Sequence, residues 1–291
     1  AFWTRTTGQI GSTNREVLET LRQLNLDSGD ANDLVSMIKL ALYIAAQSES
    51  RGADLKDVLS ASVDKGEKYD PTTDVKIIPA PGTIFNPNKP AIMVTHGWHG
   101  KEDEDRFIQL VDKLAKNYPT HNVVRIIWEK GADAFFPRDA SKNIPAAAEQ
   151  AVKLLQGLHY SDWSQTIYIG ESFGNGINAE MSQMAPARGK ALILNAANPV
   201  GYPDGLTPKY KEAFSDSISI RTWDLADDGP VGKCDLLYPK PIEEHCGGKE
   251  CNRWGQSHTS VVRLITRLFD SRPDVAKQLV EINRQGFERP D

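Results

Sequence analysis

Tyr168-Ile169-Gly170-Glu171-Ser172-Phe173-Gly174-Asn175-Gly176 is the stretch that decides how the rest of this chain is read. The β-formers Thr166-Ile167-Tyr168-Ile169 run into a G-x-S-x-G turn. Beyond it Ile177, Ala179, Met181 and Met184 continue with helical spacing. A serine hydroxyl is a weak nucleophile until it is raised out of the backbone and given a base. A tight strand-to-helix turn raises it, and Gly170 and Gly174 remove the Cβ atoms that would clash there.

Working outward from the turn, strand and helix patterns alternate. Strands are expected at Ala91–Thr95, Val123–Trp128, Thr166–Gly170, Ala191–Leu194 and Ile218–Trp223, and helices at Asp105–Lys116, Ser141–Leu155, Thr259–Phe269 and Pro273–Asn283. That alternation predicts an α/β protein with a mostly parallel central sheet covered by helices on both faces. In such sheets the chemistry sits at the carboxyl ends of the strands, where the serine turn falls. The first ~65 residues read as helical. Thr13-Asn14-Arg15-Glu16 fits a capping box ahead of Val17, Leu18, Leu21 and Leu24, and apolar helical segments follow at Leu34–Ala46 and Ala53–Val63. The expected organisation is an N-terminal helical extension, residues 1–70, packed on a catalytic domain of residues 71–291, with Pro79 through Pro90 marking the passage.

Composition narrows the function classes. The net charge of −5 and the lack of a basic stripe argue against a nucleic-acid partner. No apolar run reaches the ~18–20 residues that span a bilayer. The chain opens with Ala1-Phe2-Trp3 rather than Met, which reads as a processed or excised polypeptide. Cys246 and Cys251 can close a short disulfide loop around Gly247-Gly248, leaving Cys234 free; this favours an oxidising, secreted or extracytoplasmic setting. Three reduced thiols are the alternative.

A serine nucleophile needs a base, and the base an acceptor that orients it. On an α/β-hydrolase fold the chain order is serine, acid, histidine. Only His245 and His258 follow Ser172. His258, in Trp254-Gly255-Gln256-Ser257-His258, reads as a loop residue ahead of a helix and is the preferred base; His245 lies beside Cys246. Asp224 follows a strand directly and is the preferred acid, with Asp228 and Asp227 as alternatives in what is otherwise an acidic turn. The oxyanion hole is assigned to the backbone N–H groups of Phe173 and of Trp98, the latter in Val94-Thr95-His96-Gly97-Trp98 after an apolar strand. His96 and His99 are spaced like metal ligands but no third ligand accompanies them, so neither metal nor cofactor is expected.

Taken together these segments resemble the pancreatic lipase family of the α/β-hydrolase superfamily, from about Ala91 to Phe269. The resemblance lies in His96-Gly97-Trp98, Ile127-Trp128-Glu129-Lys130-Gly131-Ala132, the helix Ala140–Glu149, the serine turn, Leu194-Asn195-Ala196-Ala197-Asn198-Pro199, Pro230–Pro239 and Ser257-His258. It implies hydrolysis of carboxylic esters in acylglycerols or phospholipids, a lipid or small ester as substrate, and contact with a membrane or micelle surface. Four departures accompany it. Glu171 stands where a histidine is usual, at a structural position. Asn195 stands where the family places its triad aspartate, so the acid is expected to have moved to Asp224. The lid between two cysteines shrinks to four residues between Cys246 and Cys251, too few for a covering helix, which points to a phospholipase A1 or esterase rather than a triacylglycerol lipase. No counterpart of the family's C-terminal lipid-binding sandwich is expected within this sequence. Asn195 also supports a rival reading, a catalytically silent lipase-like binding or storage protein. A zinc held by Cys246, Cys251, His258 and either His245 or Cys234 is a second rival, and an acyltransferase or thioesterase could use the same triad.

Overall fold

The computed structural model describes residues 69–98, 100–133, 137–196, 212–222, 236–238 and 254–283, without the side chains of 137–139, 221–222, 236–238 and 254–260. The chain divides into two units, Ala1–Lys65 and Gly66–Asp291, and every described residue belongs to the second. The helices expected before residue 65 lie outside the described residues.

Seven strands carry the second unit: β1 (Lys76–Pro79), β2 (Ala91–Thr95), β3 (Asn122–Ile127), β4 (Ile167–Glu171), β5 (Lys190–Leu194), β6 (Asp216–Thr222) and β7 (Leu236–Tyr238). They form one sheet in the order β1-β3-β2-β4-β5-β6-β7. Only β1 is antiparallel to its neighbour; the other five pairings are parallel. Strands β2, β3 and β4 are buried along their whole length, and this is why they read as nearly unbroken apolar runs rather than as alternating ones.

The described helices are α1 (Pro71–Asp74), α2 (Asp105–Asn117), α3 (Glu129–Ala132), α4 (Pro137–Gly157), α5 (Gly174–Met184), α6 (Trp254–Ser271) and α7 (Pro273–Val280). Because strand side chains alternate between faces, each strand feeds two separate cores. Met93, Tyr168, Ala191 and Ile193 pack with Ile144 and Ala148 of α4 and Ile177 and Met181 of α5. Ile92, Val94, Ile169, Leu192 and Ile220 pack with Leu110 and Leu114 of α2, Val261 and Ile265 of α6, and Leu279 of α7. The doubly covered sheet expected from the sequence is therefore present. Its strand order, antiparallel edge strand and serine turn between β4 and α5 make it the α/β-hydrolase fold.

The connections also place the site. From β2 the chain moves outward to β3, crosses back to β4, then proceeds through β5, β6 and β7 toward the other edge. Strands β2 and β4 are thus the neighbours from which the connections diverge, where open α/β sheets leave a crevice at their carboxyl ends.

Two local expectations needed correction. Neither β1 nor β7 was anticipated: four residues ending in proline and a run of three give little periodicity to read. Strand β1 lies inside the domain expected at 71–291, and the Pro79 to Pro90 stretch connects it to β2. Trp254-Gly255-Gln256-Ser257-His258, read as a loop, forms the first residues of α6, so His258 lies on a helix.

Candidate active site

Register brings the ends of the central strands level. Thr95 of β2 stands beside Gly170 of β4, Glu171 beside Leu194 of β5, and Leu194 beside Ile220 of β6. The turn from β4 into α5 starts from this common edge. Ser172 takes φ 53°, the left-handed region that a residue with a Cβ avoids, while Phe173 returns to right-handed values, φ −66° and ψ −20°, and begins the helix. Several hydrogen bonds offset that strain. The Ser172 N–H donates to the Leu194 carbonyl (3.1 Å), and the Asn175 N–H donates to the Ser172 carbonyl (3.2 Å). The buried Asn175 side chain donates to the same Ser172 carbonyl (3.0 Å) and to that of Leu194 (3.1 Å), stitching the turn to the end of β5.

Two glycines allow β2 and α5 to meet. A Cβ on Gly174 would fall 2.3 Å from the Thr95 carbonyl oxygen, and one on Gly97 would fall 2.6 Å from the Ser172 Cβ. No other residue fits either place without moving backbone. The expectation that glycine at 174 removes a clash is thereby met. Close packing also puts Gly97, in the turn after β2, directly against the serine. Ser172 lies at the N-terminus of the 11-residue helix α5, whose first N–H groups have no partner within the helix and whose dipole favours negative charge at that end.

The turn after β2 is held by His96. Its ring is 2 % exposed and stacks on Trp128, with ring centroids 5.9 Å apart. The Trp128 N–H donates to His96 Nε2 (3.2 Å), so the ring proton resides on Nδ1, which donates to the Gly97 carbonyl (2.9 Å). Trp128 in turn donates its indole N–H to the His96 carbonyl (2.9 Å). Burial pushes the His96 pKa down to about 4; the Gly97 carbonyl opposes this and the positive charge of Arg106 adds to it. Both ring nitrogens are occupied in a neutral tautomer. His96 is therefore a structural histidine that braces the turn after β2.

Around this turn lie buried charges. Glu171, 2 % exposed, accepts the Gly97 N–H on Oε2 at 3.0 Å. Glu104 and Arg106, ahead of and within the first turn of α2, form an ion pair (2.8 Å), and the Arg106 guanidinium also lies over the Phe107 ring. Burial raises the Glu104 pKa; Arg106 counters this, and the nearby Glu171 carboxylate reinforces it. On the other side of Trp128 the buried Asp74 carboxylate accepts the N–H groups of Lys130 (2.8 Å) and Gly131 (3.0 Å), fixing the short helix α3.

The structure thus sets Gly97 against Ser172 at the carboxyl edge of the sheet, with Trp98 and Phe173 following them in the chain. Trp98 is half-buried and packs on the core shared with α4 and α5. The Asp224, Asp227 and Asp228 candidates lie outside the described residues, as do Cys234, His245, Cys246, Cys251 and His99. His258 is placed by its backbone in α6, which packs against α2, α7 and β6. Asn195 directly follows β5 at φ 42°, 1 % exposed, with its N–H donating to the Ile220 carbonyl (2.9 Å). Among the described residues no group of three or more potential ligands could hold a metal ion, and no helix is long and apolar enough to cross a membrane. Sequence reading missed the parts played by Asn175, Trp128 and Asp74. Only the small-residue run around Asn175 hinted at close packing, since the partners of the other two are distant in the chain.

No family model matches this chain, and no curated protein matches it. Among solved structures it overlaps in part with Est1E from Butyrivibrio proteoclasticus, at 9 % identity over 57 % of this chain and 84 % of that one, with a TM-score of 0.37. It overlaps similarly with the poly(3-hydroxybutyrate) depolymerase LpqC from Bordetella parapertussis (11 % identity, 70 % and 87 % covered, TM-score 0.36). A third overlap is with an esterase from Pyrobaculum calidifontis (12 % identity, 67 % and 88 % covered, TM-score 0.34). At such scores these are likenesses only, and the fold stands on the strand order and the serine turn.

Proposed function

We propose that this chain is a serine hydrolase acting on carboxylic esters through an acyl-enzyme, with lipid esters such as acylglycerols or phospholipids as the substrate class. The carrying observation is Ser172 held at φ 53° on the turn between β4 and α5, with Gly97 packed against its Cβ. A strained, glycine-flanked serine at the switch point of the sheet suits a nucleophile and serves no packing need.

In this mechanism Ser172 Oγ attacks the ester carbonyl while His258 takes its proton and Asp224 orients the imidazole. The Phe173 and Trp98 N–H groups receive the oxyanion. His258 then protonates the leaving alkoxide, and water, deprotonated by the same ring, hydrolyses the acyl-enzyme. An opposite polarity at the helix end would disfavour that oxyanion; the N-terminus of α5 supports it. A Cys246–Cys251 disulfide, a secreted setting and attachment to a lipid surface belong to the same proposal.

A fluorophosphonate probe tests it, with the labelled peptide identified. Labelling of Ser172 is expected, and Ser172→Ala should lose it together with at least ~10³ of turnover. Asp224→Asn should slow labelling far more than Asp228→Asn; the reverse would move the acid to Asp228. No labelling of folded protein at Ser172 would sink the hydrolase reading. It would favour instead the silent binding protein, which the amide of Asn195 at the end of β5 supports.

A further inference from the structure

We infer that Glu171, the residue before the nucleophile, is a positioning residue: its carboxylate holds the Gly97 N–H and so fixes the turn that presents the second oxyanion donor. This rests on the serine-hydrolase reading of Ser172 and deepens it.

Two successive peptide planes make up that turn. A peptide unit is flat and trans, so its N–H and C=O point in opposite directions, and fixing one fixes the other. In the His96–Gly97 unit, the N–H is held by Glu171 Oε2 (3.0 Å) and the carbonyl by the Trp128 indole (2.9 Å). In the Gly97–Trp98 unit, the carbonyl accepts both His96 Nδ1–H (2.9 Å) and the Gly100 N–H (3.1 Å). The Trp98 N–H belongs to that second unit, so its direction is set opposite the Gly97 carbonyl. Of the four contacts, three come from the turn's own residues or from Trp128 beyond β3. The fourth comes from the serine turn itself and ties the two halves of the oxyanion hole together.

Chemistry favours a positioning role over a packing one. A carboxylate 2 % exposed is costly to keep in the interior, and an apolar side chain of the same volume could fill the space. What an apolar side chain could not do is accept a backbone N–H 74 residues earlier in the chain. Accepting it also gives the Gly97 N–H a partner within the protein. The absence of a Cβ at Gly97 is what permits this reach: an added methyl would lie 2.6 Å from the carboxylate oxygen.

The test compares Glu171→Ala and Glu171→Gln in the full chain, using p-nitrophenyl butyrate turnover, fluorophosphonate labelling and amide hydrogen exchange at Gly97. Removing the holder should lower kcat by ~10², within the range for loss of one oxyanion donor, with KM within about twofold. Gly97 exchange should quicken in the same variant. Glutamine keeps a side-chain acceptor and should restore both readouts most of the way. Should Glu171→Ala fail to fold, Glu171→Gln decides by itself: Gly97 protected with kcat within about fivefold of wild type supports the role. A kcat collapse in Glu171→Gln while Gly97 stays protected overturns it, because the charge rather than the hydrogen bond would then matter. So does an alanine variant that keeps kcat. If the unaltered protein neither labels nor turns over, the hydrolase reading falls and takes this inference with it. A labelled, active protein indifferent to residue 171 sinks the inference alone.

Discussion

The two ends of the central strands solve the same problem by different means. At the amino ends, Asn122 of β3 ties a loop to the sheet: its Oδ1 accepts the Asn86 N–H (2.7 Å), and its Nδ2 donates to the carbonyls of Asn86 (2.7 Å) and Lys89 (2.9 Å). One neutral amide fulfils three bonds. At the carboxyl ends the loop after β2 is tied by a carboxylate and a histidine with a depressed pKa, and the serine turn by an asparagine, around Ser172 and Asn195 in the left-handed region. At the amino end the tie is made without buried charge. The carboxyl end accepts buried charge and backbone strain, and such costs persist where function requires them.

The largest effect that can break this contrast is pH. A histidine whose folded pKa lies near 4, below the usual 6.5, leaves the unfolded chain holding more protons between those values. Stability supplied by neutral His96 is complete above pH ~6.5 and is lost as pH falls toward ~4, amounting to about 3 kcal/mol. Protonation would also set a second N–H of the ring against the Trp128 N–H that now donates to it. Ring nitrogen shifts followed by NMR should therefore show His96 still neutral at pH 5.5, and urea unfolding should show stability already falling from pH ~6.5 toward ~4, where the unfolded chain takes up the proton and the folded ring does not. A ring that titrates near 6.5 would place His96 in contact with water and dissolve the distinction between the two ends.

Much of this architecture could be read in advance. Strand β2 was placed residue for residue, and β3 to β6 within one or two residues, because strands buried on both faces are written as apolar runs. The serine turn was legible because its glycines answer local steric demands that sequence spacing records. Trp254-Gly255 misled, since an aromatic beside a glycine argues weakly for a helix that tertiary packing imposes. Glu171 and His96 were visible as residues but not as devices. Their partners lie 74 and 32 residues away in the chain, and no local pattern encodes such pairings. The same limit applies to Asn195: its place at a strand end was foreseen, its left-handed backbone was not.

An intermediate effect is expected at the amino end. Asn122→Ala removes an acceptor and a donor that together serve three bonds and leaves the Asn86 N–H and two carbonyls to find water. The loss should be about 2 kcal/mol by thermal or urea unfolding, given ~1 kcal/mol for a typical bond and partial resolvation at this loop. Ester turnover per folded molecule should not change. A fall in kcat at constant stability would mean that the two ends are coupled through the sheet.

The smallest effect carries the sharpest contrast in sign. At φ 53° Ser172 pays a local penalty that glycine does not, roughly 1–2 kcal/mol for a residue with a Cβ in the left-handed region. Glycine gives back part of this, ~0.4–1 kcal/mol, through the greater freedom of its unfolded chain. Among the described residues no hydrogen bond to the Ser172 hydroxyl is shown. Ser172→Gly should accordingly raise stability by ~0.5–1 kcal/mol while abolishing probe labelling, measured by urea unfolding at pH 7 against the unaltered chain. A substitution that removes the reactive group and strengthens the fold would show the turn to be held against its own backbone preference. A loss of stability instead would show Ser172 to be packed for the fold's sake, like Asn122, and would leave nothing to set the carboxyl end apart.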